Sequence, residues 1–92
     1  MAASNKTMQE MTTPLEADEV ITRAKNFFSR RSALYATFLD REGPGYCTFR
    51  GQGGEEIAIG TTPATEGTRV TASTYLFDMQ VSRFFSTLPV AS

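Results

Sequence analysis

Residues 46–60, YCTFRGQGGEEIAIG, place three glycines and a glutamine between two apolar runs. Such a loop either holds a phosphate or forms the turn of a β-hairpin. A phosphate loop opens a helix whose N-terminal amides receive the anion, but residues 55–60 alternate as a strand does and begin with two carboxylates. The spacing also lacks the third glycine of a dinucleotide fingerprint and the Lys-Ser/Thr of a P-loop. The segment therefore predicts a hairpin whose glycines supply the positive φ of a tight turn.

The two arms of this hairpin have the period-two pattern of half-buried strands. One arm is residues 46–50 and the other is residues 55–60. Glu56 and Ala58 fall on one face of the second arm. The opposite face of the two arms carries apolar side chains at Cys47, Phe49, Ile57 and Ile59.

Two further strands are predicted on either side of the hairpin. Residues 69–76 are rich in β-branched and aromatic side chains, which favour a pleated surface, whereas residues 61–68, TTPATEGT, have the composition of a loop. Residues 33–39 are read as a strand leading into the turn DREGPGY around Pro44. The spacing of apolar residues there is also compatible with a helix continuing to about residue 41, and both interpretations stay open.

Two amphipathic helices flank these strands. Thr13, Pro14 and Glu16 form a helix start in which threonine caps, proline takes the first turn and glutamate completes a capping box. Asp78 is predicted to cap the second helix, which Pro89 ends. Each helix has one apolar stripe. In the first helix it consists of Ala17, Val20, Ile21, Ala24, Phe27 and Phe28. In the second helix it consists of Phe77, Val81, Phe84, Phe85 and Leu88.

The expected fold class is α+β, with a four-stranded antiparallel meander between an N-terminal and a C-terminal amphipathic helix. Residues 1–12 are polar and are read as a flexible tail, and residues 13–92 as one domain. Short connections make sequential strands neighbours in the sheet. This order of elements resembles the helix-grip layout of START-type lipid-binding domains, a resemblance of layout that implies a ligand between the sheet and the C-terminal helix.

Composition argues against several classes of function. The 92 residues include no histidine, which removes the commonest general base and metal ligand, and we expect no enzyme activity and no cofactor. The net charge of −1 gives no electrostatic signal for nucleic acid. Cys47 is the one cysteine, so no internal disulfide forms, which suits a reducing compartment. With no export signal and no apolar run of ~20 residues, we expect a cytoplasmic protein without a membrane span.

Function is therefore expected to lie in association. Two helices cover one face of a sheet, and the second face is expected to carry the small side chains of Thr48, Ala58, Ala72 and Thr74. The first hypothesis is an interaction module, either a homo-oligomer or an accessory subunit, that associates through this face. The second is a binder of a small apolar ligand lined by Tyr35, Tyr46, Tyr75 and Phe85. The third is a single-stranded nucleic-acid binder that uses arginines interleaved with aromatic rings.

Overall fold

The computed structural model describes residues 7–28, 38–51, 53, 55–75 and 77–91. The described chain is an α+β fold with an antiparallel sheet and two helices. In chain order the elements are β1 (Thr7–Thr13), α1 (Ala17–Asn26), β2 (Phe38–Gly43), β3 (Tyr46–Arg50), β4 (Glu56–Ala64), β5 (Gly67–Tyr75) and α2 (Asp78–Ser86).

The sheet has five strands in the order β1-β5-β4-β3-β2, so the expectation of four strands is wrong. Strands β2 to β5 form the predicted meander. The additional strand, β1, includes residues 7–12, which were assigned to a tail, and it pairs antiparallel with β5 from Thr7↔Thr74 to Thr13↔Thr68. The edge of β5 supplies hydrogen-bond partners to a polar segment that has little strand signal of its own.

The chain enters the meander through β2, which ends in a tight turn. Phe38 and Leu39 are in a strand and not in a continuing helix, while residues 33–37 lie outside the described residues. The residues before Pro44, which were read as a turn, extend the strand. The turn is confined to Pro44 and Gly45, where Gly45 has φ +78°, a conformation that favours glycine. The Gly45 carbonyl accepts hydrogen bonds from both the backbone amide and the hydroxyl of Thr61, each 2.9 Å long.

Residues 61–68 form the far end of the β4–β5 hairpin and not a loop. Ala64 pairs with Gly67 across a two-residue turn. Pro63 is tolerated within β4 because its missing N–H would point toward the β3 side, where pairing has already ended at Thr61. Gly67 has φ +140°, and a β-carbon there would overlap the Thr13 carbonyl oxygen and lie 2.7 Å from Pro14 Cα. A glycine at this position therefore lets the end of β1 pass close to the hairpin.

Both helices are present, but neither has the predicted cap. Helix α1 begins at Ala17 with Glu16 at the N-cap, and no side chain caps it. Thr13 belongs to β1, and its hydroxyl accepts a hydrogen bond from the Leu15 amide at 3.4 Å. Helix α2 begins at Asp78 with Phe77 at its N-cap, again without a side-chain cap, and it ends at Ser86, before Pro89.

Both helices pack on the same face of the sheet. Their apolar stripes are buried together with the inward side chains of β3, β4 and β5, in one cluster. Phe28 lies at the centre of this cluster, with ring centroids 5.2 Å from Phe49 of the sheet and 5.3 Å from Phe84 of α2. The aromatic rings therefore join helix, sheet and helix into a single core. The expected sharing of one face by Phe77, Val81, Phe84, Phe85 and Leu88 is confirmed.

Candidate interaction surface

The second face of the sheet is the surface that the described helices leave uncovered, and we call it the outer face. Its members are the positions that alternate with the buried ones along each strand. It comprises Met8, Glu10 and Thr12; Arg69, Thr71, Ser73 and Tyr75; Glu56, Ala58, Gly60 and Thr62; Tyr46, Thr48 and Arg50; and Phe38, Asp40 and Arg41.

One row of the outer face is low in the middle and taller at both ends. It runs Met8, Ser73, Ala58, Thr48, Arg41 in register, so that the three central strands present only small side chains in it. Exposed large apolar residues stand at the borders and on one central strand: Met8 is 71% exposed on β1, Phe38 is 50% exposed on β2 and Tyr46 is 41% exposed on β3. Along the low row, a partner can approach the middle strands closely while the two edges contact its periphery.

Charges on the outer face are balanced, and part of the charge is paired. The Asp40 carboxylate accepts hydrogen bonds from Arg50 Nε at 3.3 Å and from the Thr48 hydroxyl at 3.4 Å. A β-bulge between Leu39 and Arg41 brings Asp40 to this side. The Arg50 side chain is 55% exposed, so this pair contributes at most about 1 kcal/mol. Its main effect is to orient the two side chains along the surface.

The predicted site residues are divided between the two faces. Thr48 and Ala58 lie on the outer face, as expected. Ala72 and Thr74 were also expected there, but that prediction is wrong: they are 1% exposed and belong to the core side. They share the face of Val70 because successive strand residues alternate. Burial of the Thr74 hydroxyl is possible because it donates to the Glu56 carbonyl at 2.8 Å and accepts from the Phe77 amide at 3.3 Å.

The four aromatic residues expected to line a ligand site are not brought together. Tyr46 and Tyr75 lie on the outer face, in register with Gly60 and Glu56 respectively. Phe85 belongs to α2 and packs against the core on the opposite side of the sheet. Tyr35 lies outside the described residues. The two tyrosines and Phe85 therefore do not face one common space.

Sequence reasoning missed four outer-face residues at the two edge strands. Met8 and Glu10 were assigned to the tail, Phe38 was given no role, and Arg41 was considered only among the arginines of the nucleic-acid hypothesis. A signal for the first pair was present, since TMQEMTT alternates two sets of side chains with period two. For the second pair the sequence gives no register, and the bulge in β2 shifts the alternation.

The glycine loop between β3 and β4 is a hairpin connection, as predicted, but the expected positive φ is absent from its described glycines, Gly51 and Gly53. The Gly51 amide donates to the Glu55 carbonyl at 2.9 Å, which closes the loop. The Gly53 amide donates to Glu55 Oε1, also at 2.9 Å. The loop amide that a phosphate would need is thus bound by a carboxylate of the chain itself. A negative charge held there opposes anion binding.

Cys47 is buried in the core, as its strand pattern predicted. The residue is fully buried, and this burial raises the pKa of its thiol to about 12. The nearby Lys25 ammonium lowers the pKa and the Glu42 carboxylate raises it, both by less than burial does. Those two groups form an ion pair of 2.9 Å. A protonated, inaccessible thiol is not a nucleophile.

Two shallow clefts of the described surface lie near the helices. One, of about 260 Å³, runs between the start of α1 and the end of the β4–β5 hairpin, beside Pro14, Leu15 and Pro63. Another, of about 460 Å³, lies along the exposed side of α2 beside Met79 and Arg83. No buried side-chain polar atom in the described residues lacks a hydrogen-bond partner. Neither cleft therefore presents a buried, unsatisfied side-chain polar atom to a ligand.

Among the described residues there is neither a metal-ligand cluster nor a membrane-spanning helix. No three carboxylate or cysteine side chains in the described ranges converge to hold a metal ion. Neither described helix has the length and apolar character needed to cross a membrane.

Comparison of the chain with family models, with curated proteins and with solved structures gives no match.

Proposed function

We propose that this chain is a non-catalytic protein-interaction module that associates with another protein chain through the outer face. The observation that carries the proposal is the one-sided packing of the sheet: α1 and α2 both lie on the core face. A sheet face that the described elements leave without a covering layer commonly meets a partner. The small residues in its middle, such as Ala58 and Ser73, suit close packing of a second layer.

The chemistry of the described residues supports a non-catalytic role. The chain has no histidine. Its one cysteine is buried, with its thiol pKa raised to about 12. Three charged side chains of β2 and β3, at Asp40, Glu42 and Arg50, are engaged in the exposed ion pairs Asp40–Arg50 and Glu42–Lys25. Such pairs are typical of a solvated or partner-facing surface rather than of a reacting centre.

A matched pair of charge insertions tests this proposal. Ala58→Arg places a long cation in the middle of the outer face, and Thr22→Arg places the same cation on an exposed position of α1, on the opposite side of the molecule. Circular dichroism first establishes that both variants fold. Light scattering, together with affinity capture from the native cell, then measures association. We expect association of the wild type to be lost in Ala58→Arg and kept in Thr22→Arg.

Two results would overturn the proposal. One is a wild-type chain that neither self-associates nor captures a protein. The other is association that Ala58→Arg leaves intact, because the contact would then lie elsewhere on the molecule. Fluorescence anisotropy with a labelled single-stranded oligonucleotide at low salt covers the nucleic-acid hypothesis. Binding there that Ala58→Arg strengthens and added salt weakens would identify a phosphate-backbone partner in place of a protein.

A further inference from the structure

We infer that the partner of the outer face is a second copy of this chain, packed face to face about a two-fold axis parallel to the strands. In this arrangement β1 of each copy lies over β2 of the other, and β4 lies over β4. The inference rests on the proposed function and specifies it further. Three properties of the surface carry it: its charge balance, the complementarity of its two edges and its size.

A two-fold interface favours a charge-balanced surface because it brings the same patch of both copies together. Any net charge on that patch would repel itself. Among the described residues, the outer face carries three carboxylates, at Glu10, Asp40 and Glu56, and three guanidiniums, at Arg41, Arg50 and Arg69. The formal net charge of these described residues is therefore zero. A partner that tracks phosphate, or a strongly charged protein, would favour a surface of one sign.

The two edges of the outer face complement each other. Along β1 an exposed apolar side chain, Met8, is followed by an acidic one, Glu10. Along β2, which runs in the same direction, the exposed apolar Phe38 is followed by the basic Arg41. Neither Glu10 nor Arg41 has an ion-pair partner within the described residues. Placing β1 over β2 of the second copy sets Met8 over Arg41. Phe38 then lies about 7 Å to one side of Met8 and Glu10 about 7 Å to the other side of Arg41, so these long side chains reach apolar to apolar and acid to base, twice by symmetry.

This complementarity selects the direction of the axis. Met8 and Arg41 end the same cross-sheet row, and Glu10 lies two residues further along β1, a step of about 7 Å, which an arginine side chain can span. An axis perpendicular to the strands would instead place β1 over β1. Glu10 would then approach its own copy, as would Arg41. Like charges in direct opposition are unfavourable.

The middle of the sheet fits an axis along β4. Residues on the axis meet their own copies, so bulky side chains there would collide. The outward residues at the centre of β4 are Ala58 and Gly60. Glu56, near one end of β4, has Arg50 beside it in register on β3. That neighbouring cation offsets the repulsion between the two copies of Glu56.

The size of the outer face is compatible with a reversible dimer. Five strands about 4.8 Å apart and roughly 20–30 Å long give on the order of 500–700 Å² per copy. Stable protein–protein interfaces bury about 800 Å² per partner. The face is therefore large enough for association of two copies, at the lower end of the usual range. No described element would have to move to expose it.

A charge exchange between Glu10 and Arg41 tests the arrangement. Light scattering and native mass spectrometry over roughly 1–200 µM measure dimerisation of the wild type, Glu10→Arg and Arg41→Glu, with Thr22→Arg as control. We expect each single variant to dimerise at least about tenfold more weakly than the wild type, because both symmetric contacts become repulsive. An equimolar mixture of the two variants is expected to recover dimers as heterodimers, since both contacts are then attractive. Isotope labelling of one variant distinguishes these heterodimers by mass.

The outcomes separate this inference from the proposed function. A wild type that stays monomeric throughout overturns the second copy as partner, while the proposed function stands if Ala58→Arg still abolishes capture of another protein. A dimer lost in Ala58→Arg but unchanged in Glu10→Arg and Arg41→Glu overturns the axis. Failure of the mixture to recover dimers overturns it as well. Recovery in the mixture, with Thr22→Arg unchanged, supports the arrangement.

Discussion

At the scale of single residues, Cys47 shows how position decides chemistry. The side chain lies on β3 with its neighbours Phe49 and Ile59 on the same buried face. Exclusion of water disfavours the thiolate and raises the pKa of the thiol from 9.0 to about 12. The residue is therefore a small packing group, and its one reactive form is reached only after unfolding.

The raised pKa predicts a loss of stability in alkali. Above pH 9 the unfolded thiol loses its proton while the folded thiol keeps it, so the free energy of unfolding falls as the pH rises toward about 12. Between pH 9 and about pH 12, one such group lowers the free energy of unfolding by about 1.4 kcal/mol per pH unit. Cys47→Ala lacks the group. Urea unfolding of both proteins at about pH 8 and about pH 10 should show their stability difference shrinking by about 1.4 kcal/mol.

A stability difference that stays constant with pH would contradict this expectation. Reaction of Cys47 with a thiol reagent at the same rate in folded and urea-unfolded protein would contradict it too, because a buried side chain must be exposed before it can react.

At the scale of elements, β1 depends on its neighbours. It is a seven-residue strand with few apolar residues, and it pairs with β5 along its whole length. Further contacts join it to α2: the Gln9 side-chain amide donates to the Asp78 carbonyl at 3.3 Å, and Gln9 Oε1 accepts from the Ser82 hydroxyl at 3.1 Å. On its other edge the Thr12 carbonyl accepts from the Ala91 amide at 2.9 Å. These bonds fix both its register and its direction.

Proline substitutions test the pairing of β1. Because the Thr12 carbonyl points away from β5, alternation directs the Glu10 N–H to the free edge and the Met11 N–H toward β5. Met11→Pro removes a backbone hydrogen bond to β5 and leaves its acceptor without a donor, which should cost about 1–3 kcal/mol. Glu10→Pro should be tolerated, because the N–H that proline lacks would point to the free edge of the sheet and not toward β5. Urea denaturation compares the two, with Met11→Ala measuring the lost side chain.

Equal stability of Met11→Pro and Glu10→Pro would mean that β1 does not pair with β5 in this register. A Met11→Ala variant as unstable as Met11→Pro would assign the effect to packing of the methionine side chain. Either result would require a different account of this strand.

At the scale of the whole molecule, one small aromatic core joins the end of α1, the sheet and α2. Phe84 of α2 contacts Phe28, with ring centroids 5.3 Å apart, and Phe27 at 5.6 Å. Phe28 in turn contacts Phe49 of the sheet. A chain of 92 residues buries only about 60–65% of its unfolded surface, so each buried ring is a large share of its stability. Loss of one ring weakens the contacts of both helices together.

Truncation of two neighbouring rings of α2, Phe84 and Phe85, should lower the free energy of unfolding by different amounts. Phe84→Ala removes a fully buried ring and should lower the free energy of unfolding by about 3–5 kcal/mol. Phe85→Ala, next to it but only partly buried, should cost clearly less. Thermal unfolding followed by circular dichroism gives both values. An equal loss in the two variants would show that α2 does not present Phe84 to the core.

Local pattern in the sequence determined the fold class, the hairpin at the glycine loop, the apolar faces of both helices and the burial of Cys47. Each depends on residues close in sequence, whose alternation or helical spacing follows from backbone geometry. Tertiary structure decided the fifth strand and the membership of the outer face. The polar strand β1 forms because β5 offers it an edge, and Ala72 and Thr74 are buried because register aligns them with Val70, Ile57 and Ile59. Side-chain size alone would have placed Tyr75 inside and Thr74 outside. Pairing between distant segments sets the register, and the register decides which face a residue occupies.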